Sequence, residues 1–475
     1  MLEGLEVSEV LFSNIDLGDR IDAEYFGKEN IRVEKKLKDI HAIELRNIGK
    51  FVASAFYPAA TQLYAIGDTP FIRCVDCIKF PLITREQENL FEKIPLQFAK
   101  ENSGVNLIYK GDLVITKVGT PCYPSLIYEH DVVALSRTVL GITEIKNVNR
   151  FYLLAFLRSK YGFTQLQRER ELTIQYQLTL ERVKKTLIHI PSITFQKEIE
   201  NLIVNNITLL NLSKITYQQA ETLLLDTIGL NNFEPSKEPV NIKSFKDSLL
   251  TTGRLDAEYY QKKYEDYKNS IRLNPLGYTI ITNEYDLIKS VSKKEKKIYN
   301  YIEIGDVNVN DGSVICNTIN TEDLPANAKT EVKKGDILIS KVRPNRGAVT
   351  IIDFEVENLI VSGAFTVLRE KKTSIFSNET LKVLLRTELY KDWLLQFNIG
   401  TQYPVIRDED ILNIPILKIP KEVQDMITEK IKISQELRKQ SEQLLKTAKR
   451  AVEIAIEEGE EKVMEMNPLV KDYNC

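Results

Sequence analysis

The sequence predicts an α+β fold in which two tandem, similar globular domains of mixed helices and strands alternate with two long helices. Three observations support this prediction: an internal repeat, short β-rich runs within each repeat, and a long helical pattern at the end of each repeat. The expected order is a first domain over 1–190, a helix over 191–230, a second domain over 231–418, a helix over 419–460 and a tail over 461–475. Because a whole domain separates the helices, we expect an antiparallel, coiled-coil-like pair that holds the domains at opposite ends with pseudo-two-fold symmetry.

Several short motifs occur twice, in the same order and at nearly constant separation. Small drifts in that separation are what loop insertions in a duplicated domain produce. The repeated motifs are residues 20–26 and 254–260 (RIDAEYF and RLDAEYY), 71–76 and 301–306, 110–118 and 334–342 (KGDLVITKV and KGDILISKV), Gln175-Tyr176 and Gln402-Tyr403, and Ile190-Pro191 and Ile419-Pro420. The chain is therefore expected to consist of two halves with one common plan.

Within each half, the Lys-Gly-Asp motif predicts a turn that leads into a strand. Glycine suits the left-handed position of such a turn, and the aspartate can cap it. The runs 113–116 and 337–340 that follow are typical of strands, as are 132–142 and 359–368. The spacing of apolar residues predicts helices over 152–167 and 378–396.

A long helix is predicted to close each half, over residues 195–228 and 423–458. Apolar residues at alternating steps of three and four form a narrow seam, which is the pattern of a helix that pairs with another helix. The alternative is a helix that folds back over its own domain. The predicted pairing residues are Ile203, Ile207, Leu210, Tyr217 and Leu224 in the first helix and Ile433, Leu437, Leu444 and Ala451 in the second.

The composition is that of a folded protein without an overall positive charge. The 475 residues are 43% hydrophobic and 28% charged, and the formal net charge is −3. This balance excludes a surface coated in cations but leaves room for local basic grooves. The five cysteines do not suggest a disulfide framework, and no signal pattern or membrane-length apolar run is found. We therefore expect a protein of a reducing, aqueous compartment, the cytoplasm.

Sequence signatures of catalysis are missing. There is no GxxxxGK[ST] phosphate loop and no GxGxxG between a strand and a helix, and the three histidines lack ligand spacing. Cys74 and Cys77 form one CxxC pair, but a structural zinc needs four ligands and no second pair follows. We therefore predict no catalytic site, metal site or cofactor in this chain.

Basic, amide and tyrosine side chains cluster in loops beside the repeated strands. Arginine pairs with guanine, glutamine or asparagine pairs with adenine, and lysine contacts phosphate, so these residue types suit the DNA major groove. A solvated loop surface is the alternative for any one cluster, but the Gln-Tyr pair stands at the same place in both halves. The predicted DNA-binding residues are Lys117, Gln175, Tyr176, Lys341, Arg343, Asn345, Arg346, Gln402, Tyr403 and Arg407, and Arg168, Arg170 and Arg182 flank the first Gln-Tyr pair.

Together, the ordered motifs resemble the specificity (S) subunit of type I restriction-modification systems, over the whole chain. The resemblance implies two target recognition domains, each reading half of a bipartite site in double-stranded DNA. It also implies that the long helices space these domains and dock two methyltransferase (M) subunits, and that restriction/translocase (R) subunits join the complex. S-adenosylmethionine, ATP and Mg would then belong to the partners. A Val-Gly-Thr-x-Gly loop common in the family is replaced here by VGTPC at 118–122 and VRPNR at 342–346.

We therefore predict a non-catalytic, sequence-specific DNA-binding subunit. Because the two candidate recognition segments differ strongly, the composite DNA site should be asymmetric. Two other hypotheses stay open: a self-sufficient DNA-processing enzyme with an unrecognised carboxylate cluster, and a scaffold of paired domains that binds only protein.

Overall fold

The computed structural model describes residues 8–11, 15, 20–55, 62–172, 175–290, 292, 294–309, 311–400 and 402–465. The chain divides into two compact units: Met1–Thr208 with Gln440–Cys475 (unit 1), and Leu209–Lys439 (unit 2). Each unit combines helices with sheets, so the predicted α+β class is confirmed. Among the described helices, none is both long and apolar enough to span a membrane.

Unit 1 is built from short strands in two main sheets, with helices packed around them. Its first helices are α1 (Lys28–Asp39), α2 (Gln62–Ala65), α3 (Cys74–Lys79), α4 (Leu96–Glu101), α5 (Arg150–Arg158), α6 (Lys160–Arg168) and α7 (Leu180–Lys184). Its strands are β1 (Ile43–Glu44), β2 (Lys50–Ala53), β3 (Thr69–Ile72), β4 (Leu82–Ile83), β5 (Lys93–Ile94), β6 (Leu107–Tyr109), β7 (Leu113–Thr116), β8 (Pro124–Ile127), β9 (Val132–Leu135), β10 (Val139–Thr143), β11 (Glu171–Leu172), β12 (Tyr176–Gln177) and β13 (Leu187–Ile188). The sheet orders are β2-β10-β7-β8-β4 and β5-β3-β9-β6.

Two long helices contribute to both units. The first is α8 (Ile193–Thr227), and the second is α15 (Lys421–Glu458). Within two residues, the observed bounds match the helices predicted at 195–228 and 423–458.

Unit 2 repeats the plan of unit 1. Its helices are α9 (Leu249–Thr252), α10 (Lys262–Arg272), α11 (Ile281–Glu284), α12 (Asn378–Arg386), α13 (Glu388–Leu394) and α14 (Asp408–Leu412), followed by α15 (Lys421–Glu458), while α16 (Glu460–Glu465) lies in unit 1. Its strands are β14 (Tyr278–Ile280), β15 (Tyr285–Leu287), β16 (Ile298–Ile302), β17 (Asn317–Asn320), β18 (Ala328–Glu331), β19 (Ile337–Ser340), β20 (Val349–Ile351), β21 (Leu359–Ser362), β22 (Phe365–Glu370) and β23 (Pro415–Leu417).

The sheet topology bears out the internal duplication. The order β15-β22-β19-β20 in unit 2 corresponds to β2-β10-β7-β8 in unit 1, and β16-β21-β18 corresponds to β3-β9-β6. The pairs β3/β9 and β16/β21 are parallel, whereas β7 and β19 pair antiparallel with both of their neighbours. Because register and direction agree strand by strand, the repeated motifs hold equivalent places in the two units.

Four predicted elements are each interrupted in the structure. Residues 132–142 and 359–368 form two strands each, because the hydroxyls of Ser136 and Ser362 accept amide hydrogen bonds from Thr138 (3.2 Å) and Ala364 (3.2 Å) and turn the chain. The predicted helices over 152–167 and 378–396 break at Ser159 and Thr387, whose hydroxyls cap the helix that follows.

The long helices pair in an antiparallel sense within each unit. In unit 2, the hydroxyls of Ser213 and Ser434 each donate to the other residue's carbonyl (2.7 and 2.8 Å), and Lys430 Nζ donates to Gln219 Oε1 at 2.9 Å. In unit 1, Asn206 Nδ2 donates to the carbonyl and hydroxyl of Ser441 at 2.6 and 2.7 Å. The contacts therefore fit paired helices better than helices that each fold over one domain.

The predicted pairing register is wrong in part, because buried polar residues occupy positions that an apolar count leaves out. Ile433 is 43% exposed, whereas Ile431 is 1% exposed and Ser434 is buried. In α8, the buried Asn206 and Ser213 make the interhelical hydrogen bonds. Of the other predicted pairing residues, Ile203, Ile207, Leu224, Leu444 and Ala451 are buried, and Leu210, Tyr217 and Leu437 are half-buried.

Candidate nucleic-acid interface

Two loops of each unit carry the predicted DNA-binding residues. Loop A follows the Lys-Gly-Asp strand and covers residues 117–124 in unit 1 and 341–347 in unit 2. Loop B carries the Gln-Tyr pair and covers the described residues of 170–178 in unit 1 and of 398–407 in unit 2. Isolated β-bridges join the two loops in both units, between Val118 and Gln177 and between Val342 and Val405. The sequence places these residues far apart in the chain, and the fold brings them together.

The Lys-Gly-Asp turn sets the direction in which each loop A leaves its strand. Gly111 and Gly335 have φ angles of 90° and 91°, so both take the left-handed conformation that the motif predicts. Asp112 and Asp336 close the turn by accepting the amide protons of Tyr109 and Lys333, each at 2.9 Å. The predicted turn is therefore confirmed in both units.

In unit 2, backbone hydrogen bonds fasten loop A to loop B. The amide of Arg343 donates to the carbonyl of Pro404 at 2.8 Å, and the amide of Ile406 donates to the carbonyl of Lys341 at 3.0 Å. Between these bonds, the guanidinium of Arg343 lies 5.5 Å from the ring centroid of Tyr403. A cavity of about 400 Å³ lies beside the joined loops, and Lys341 and Arg407 are among the residues that line it.

The predicted DNA-binding residues of unit 2 differ in side-chain exposure and in the ion pairs that they form. Arg343, Asn345, Arg346, Gln402, Tyr403 and Arg407 are exposed. Lys341 Nζ is 3.2 Å from Asp408 Oδ1, and Arg407 Nε is 3.3 Å from Asp410 Oδ2. With the residues that the structure describes, Arg343 and Arg346 form no ion pair. Loop A therefore offers the cations that are least neutralised by neighbours.

In unit 1, the same joining of loops places three predicted residues together. Leu178 donates its amide to the carbonyl of Lys117 at 2.9 Å, next to the bridge between the loops. The guanidinium of Arg170 lies 4.2 Å from the ring centroid of Tyr176, which is half-buried. Gln175 is exposed. Loop A of unit 1 contains one cation, Lys117, whereas loop A of unit 2 contains three.

The arginines that flank the first Gln-Tyr pair support the loop from inside the unit. Arg168 Nη1 is 2.6 Å from Glu34, and its Nε donates to the carbonyl of Tyr25 at 2.8 Å. Arg182 bonds to both Glu169 (3.0 Å) and Glu171 (2.7 Å). Because carboxylates hold both guanidiniums, these arginines are placed to shape loop B.

The repeated acidic-aromatic motif has a structural role that its sequence does not reveal. Arg20 is held by Asp22 (2.6 Å), and its Nη1 donates to the carbonyls of Arg168 (3.1 Å) and Arg170. In unit 2, Arg254 is held by Asp256 (2.6 Å), and its Nη2 donates to the carbonyl of Asn398 at 2.8 Å. In each unit, the arginine therefore fixes the start of loop B. The available signal was that the motif recurs before the Gln-Tyr pair in both halves.

The two cysteines of the CxxC pair differ in burial: Cys77 is buried and Cys74 is half-buried. Among the described residues, no group of three or more His, Cys, Asp and Glu side chains is arranged to hold a metal ion. Burial raises the pKa of Cys77 and of Cys122 to about 12, so both side chains are thiols at neutral pH. Cys74 Sγ lies 3.4 Å from the carbonyl of Thr120, which places it against loop A.

Comparison with known proteins identifies one curated relative and several structures of the same kind. No family model matches the chain. The type I restriction enzyme HindI specificity subunit of Haemophilus influenzae is 33% identical over 154 residues, which make up 30% of this chain and 33% of that protein. The aligned segment thus spans about a third of the relative. This relative confirms the resemblance to type I specificity subunits that the repeated motifs predict.

The matching solved structures have low sequence identity and low TM-scores. The S subunit of a type I restriction-modification system from M. genitalium matches with a TM-score of 0.39 and 10% identity, covering 87% of this chain and 94% of that one. The HsdS subunit of Thermoanaerobacter tengcongensis matches with a TM-score of 0.25 and 15% identity, covering 74% of this chain and 82% of that one.

Proposed function

We propose that this chain is the non-catalytic specificity subunit of a type I restriction-modification complex and that it reads an asymmetric, bipartite site in double-stranded DNA. In this proposal, unit 1 reads one half-site and unit 2 reads the other. The chain acts in the cytoplasm with two M subunits and with R subunits. S-adenosylmethionine, ATP and Mg serve those partners.

The observation that carries the proposal is the paired loop A and loop B in each unit. Both units join the two loops by a β-bridge, and both place glutamine and tyrosine at the joint. In unit 2, the two joined loops carry exposed arginine, asparagine and glutamine side chains. These are the groups that bond to guanine and adenine edges. The similarity to the HindI specificity subunit supports the same interpretation.

An exposed apolar face on the long helices supports docking of an M subunit at unit 2. Lys430 bonds to Gln219, and Ile433 and Ile215 lie one turn from these residues on their own helices. Ile215 and Ile433 are therefore on the same side of the helix pair, and both are exposed. We propose that an M subunit covers this face, together with Leu212 and Met426, which are exposed as well.

Sequencing modified adenines in the source genome tests the proposal directly. We expect one bipartite, asymmetric motif to be methylated on both strands, and we expect the methylation to vanish when this chain is deleted. The purified complex of this chain with its M subunits should then bind a duplex carrying that motif and should discriminate against a changed base in either half. Absence of a chain-dependent motif would overturn the proposal.

Two control incubations separate the proposal from the other hypotheses. The chain alone, with DNA and Mg, should neither cleave nor modify the DNA; activity there would indicate an enzyme. Gel-shift assays with and without the M subunits should show sequence-specific DNA binding at least in the complex. Assembly with M subunits but no DNA binding would indicate a protein scaffold.

A further inference from the structure

Two consecutive helices precede loop B in each unit, α5 and α6 in unit 1 and α12 and α13 in unit 2, and the first of each two ends in an arginine. α5 ends at Arg158 and α12 ends at Arg386, and each helix is nine residues long. Each of these arginines is followed by a hydroxyl residue that caps the next helix, Ser159 or Thr387. The two arginines therefore occupy equivalent positions, although they lie outside every repeated motif of the sequence.

In unit 2, the guanidinium of Arg386 connects three separate segments. Nη1 donates to the carbonyl of Gly347 at 2.7 Å, Nη2 donates to the carbonyl of Val309 at 3.0 Å, and Nε donates to the hydroxyl of Tyr217 at 2.7 Å. Only 8% of Arg386 is exposed, and all three acceptors are uncharged. Gly347 is the last residue of loop A, and Tyr217 belongs to α8.

Arg158 makes the corresponding connections in unit 1. Its Nε donates to the carbonyl of Pro124 at 2.7 Å, and its Nη2 donates to the carbonyl of Cys77 at 3.1 Å. Pro124 ends loop A, as Gly347 does in unit 2. Cys77 and Val309 both follow closely after the second repeated motif, at 71–76 and 301–306. Burial lowers the pKa of Arg158 to about 10, so the guanidinium keeps its charge at neutral pH.

Loop A of unit 2 needs an anchor at its far end because its backbone is unusual. Arg343 and Gly347 have φ angles of 51° and 71°, and Pro344–Arg346 forms a single 3₁₀ turn between them. The amide of Arg343 anchors the near end to Pro404 at 2.8 Å. Arg386 anchors the far end. The exposed side chains of Arg343, Asn345 and Arg346 thus project from a turn that is held at both ends.

We infer that Arg386 and Arg158 are positioning residues, each of which fixes the loop A of its own unit in the geometry that reads one half-site. A guanidinium suits this role because its planar fork reaches two carbonyls at once, which a single ammonium group does not. In unit 2, the bond to Tyr217 extends the same support to α8. The inference rests on the proposed function in one respect, that loop A contacts DNA.

The test uses the full chain in complex with its M subunits and compares R386M with R158M. Hydrogen exchange is measured at the amides of 117–123 in unit 1 and 343–347 in unit 2, apart from Pro121 and Pro344. Binding is measured on the target duplex and on duplexes with one base changed in either half. For R386M, we expect faster exchange in loop A of unit 2 and about a tenfold loss of discrimination at one half-site. The other half-site should be read normally, which shows that the complex is folded. R158M should give the opposite pattern.

Further variants separate positioning from general stability. R386K should lose discrimination as R386M does, since charge alone does not replace the fork; recovery in R386K would overturn the inference. Should R386M fail to fold, Y217F removes only the phenol acceptor and should speed loop A exchange while leaving both helices paired. Unchanged exchange together with unchanged discrimination would also overturn it. A wild-type complex without sequence preference would refute the proposed function, while the exchange measurement would still test the anchoring of loop A.

Discussion

Two neighbouring isoleucines of α15 provide a matched test of how the long helices pair. Ile431 is 1% exposed and Ile433 is 43% exposed, although they are identical in type and stand two positions apart. Truncating the buried residue in I431A should lower the free energy of unfolding by about 2–5 kcal/mol, because it removes packed methyl groups and leaves a cavity. The same truncation in I433A should change it by less than about 0.5 kcal/mol. Urea unfolding of the full chain, followed by circular dichroism, measures both values.

The same pair of sites also tests docking. A carboxylate in I433D should leave unfolding nearly unchanged but should weaken assembly with the M subunit, because it places a charge on the exposed apolar face. Light scattering of the mixed subunits measures the assembled mass, and I215D is the matched variant on α8. A larger stability loss in I433A than in I431A would refute the observed register and favour the one predicted from apolar spacing. Full assembly of I433D and I215D would exclude this face as the docking surface.

The remaining predictions concern the loops and a buried lysine. Replacing both Gln402 and Arg407 with alanine should impair binding to one half-site by about tenfold and leave assembly intact; an equal loss at both half-sites would contradict the assignment. Exchanging residues 1–190 for those of a relative should change one half of the methylated motif, whereas changes in both halves would contradict independent reading. Desolvation lowers the pKa of Lys382 from 10.5 to about 8, so the folded state binds this proton more weakly than the unfolded state does. The free energy of unfolding should therefore rise between pH 8 and 10.5. K382M should lack that rise, and its free energy of unfolding at pH 7 should be roughly 3 kcal/mol higher than that of the wild type. Identical pH profiles of the two proteins in urea unfolding would rule this out.

The strands and turns of the repeat could be predicted because their signals are local. Residues 113–116 and 337–340 are strands as expected, since a glycine with positive φ and a capping aspartate define the turn before each one. The breaks at Ser136 and Ser362 were missed, because a single hydroxyl bonded to a nearby amide outweighs a continuous apolar run. Here one side-chain hydrogen bond decides where a strand ends.

The pairing surface of the long helices was harder to predict, because pairing depends on which partner each face meets. The spacing of apolar residues favours Ile433 as a pairing residue. In the structure Ser434 faces the opposite helix instead, and its hydroxyl donates to the carbonyl of Ser213 there. The candidate site shows the same limit. Arg343 and Tyr403 are distant in the sequence, and the fold brings them together. Arg168 forms an ion pair with Glu34, which is also distant in the sequence, and Arg182 forms one with Glu169 on a neighbouring element. Such partners are visible only once the chain is folded.

The residues that support the loops are duplicated more faithfully than the loops themselves. In each unit, a glutamine at the start of a long helix accepts an amide bond from the residue that caps α5 or α12, and arginines fix both loop B and the end of loop A. These residues are Gln196 and Gln424, Arg20 and Arg254, and Arg158 and Arg386. Loop A, by contrast, has the sequence VGTPC at 118–122 in unit 1 and VRPNR at 342–346 in unit 2. Since the support sets the backbone while exposed side chains select bases, a shared support with different loops argues for two unlike half-sites.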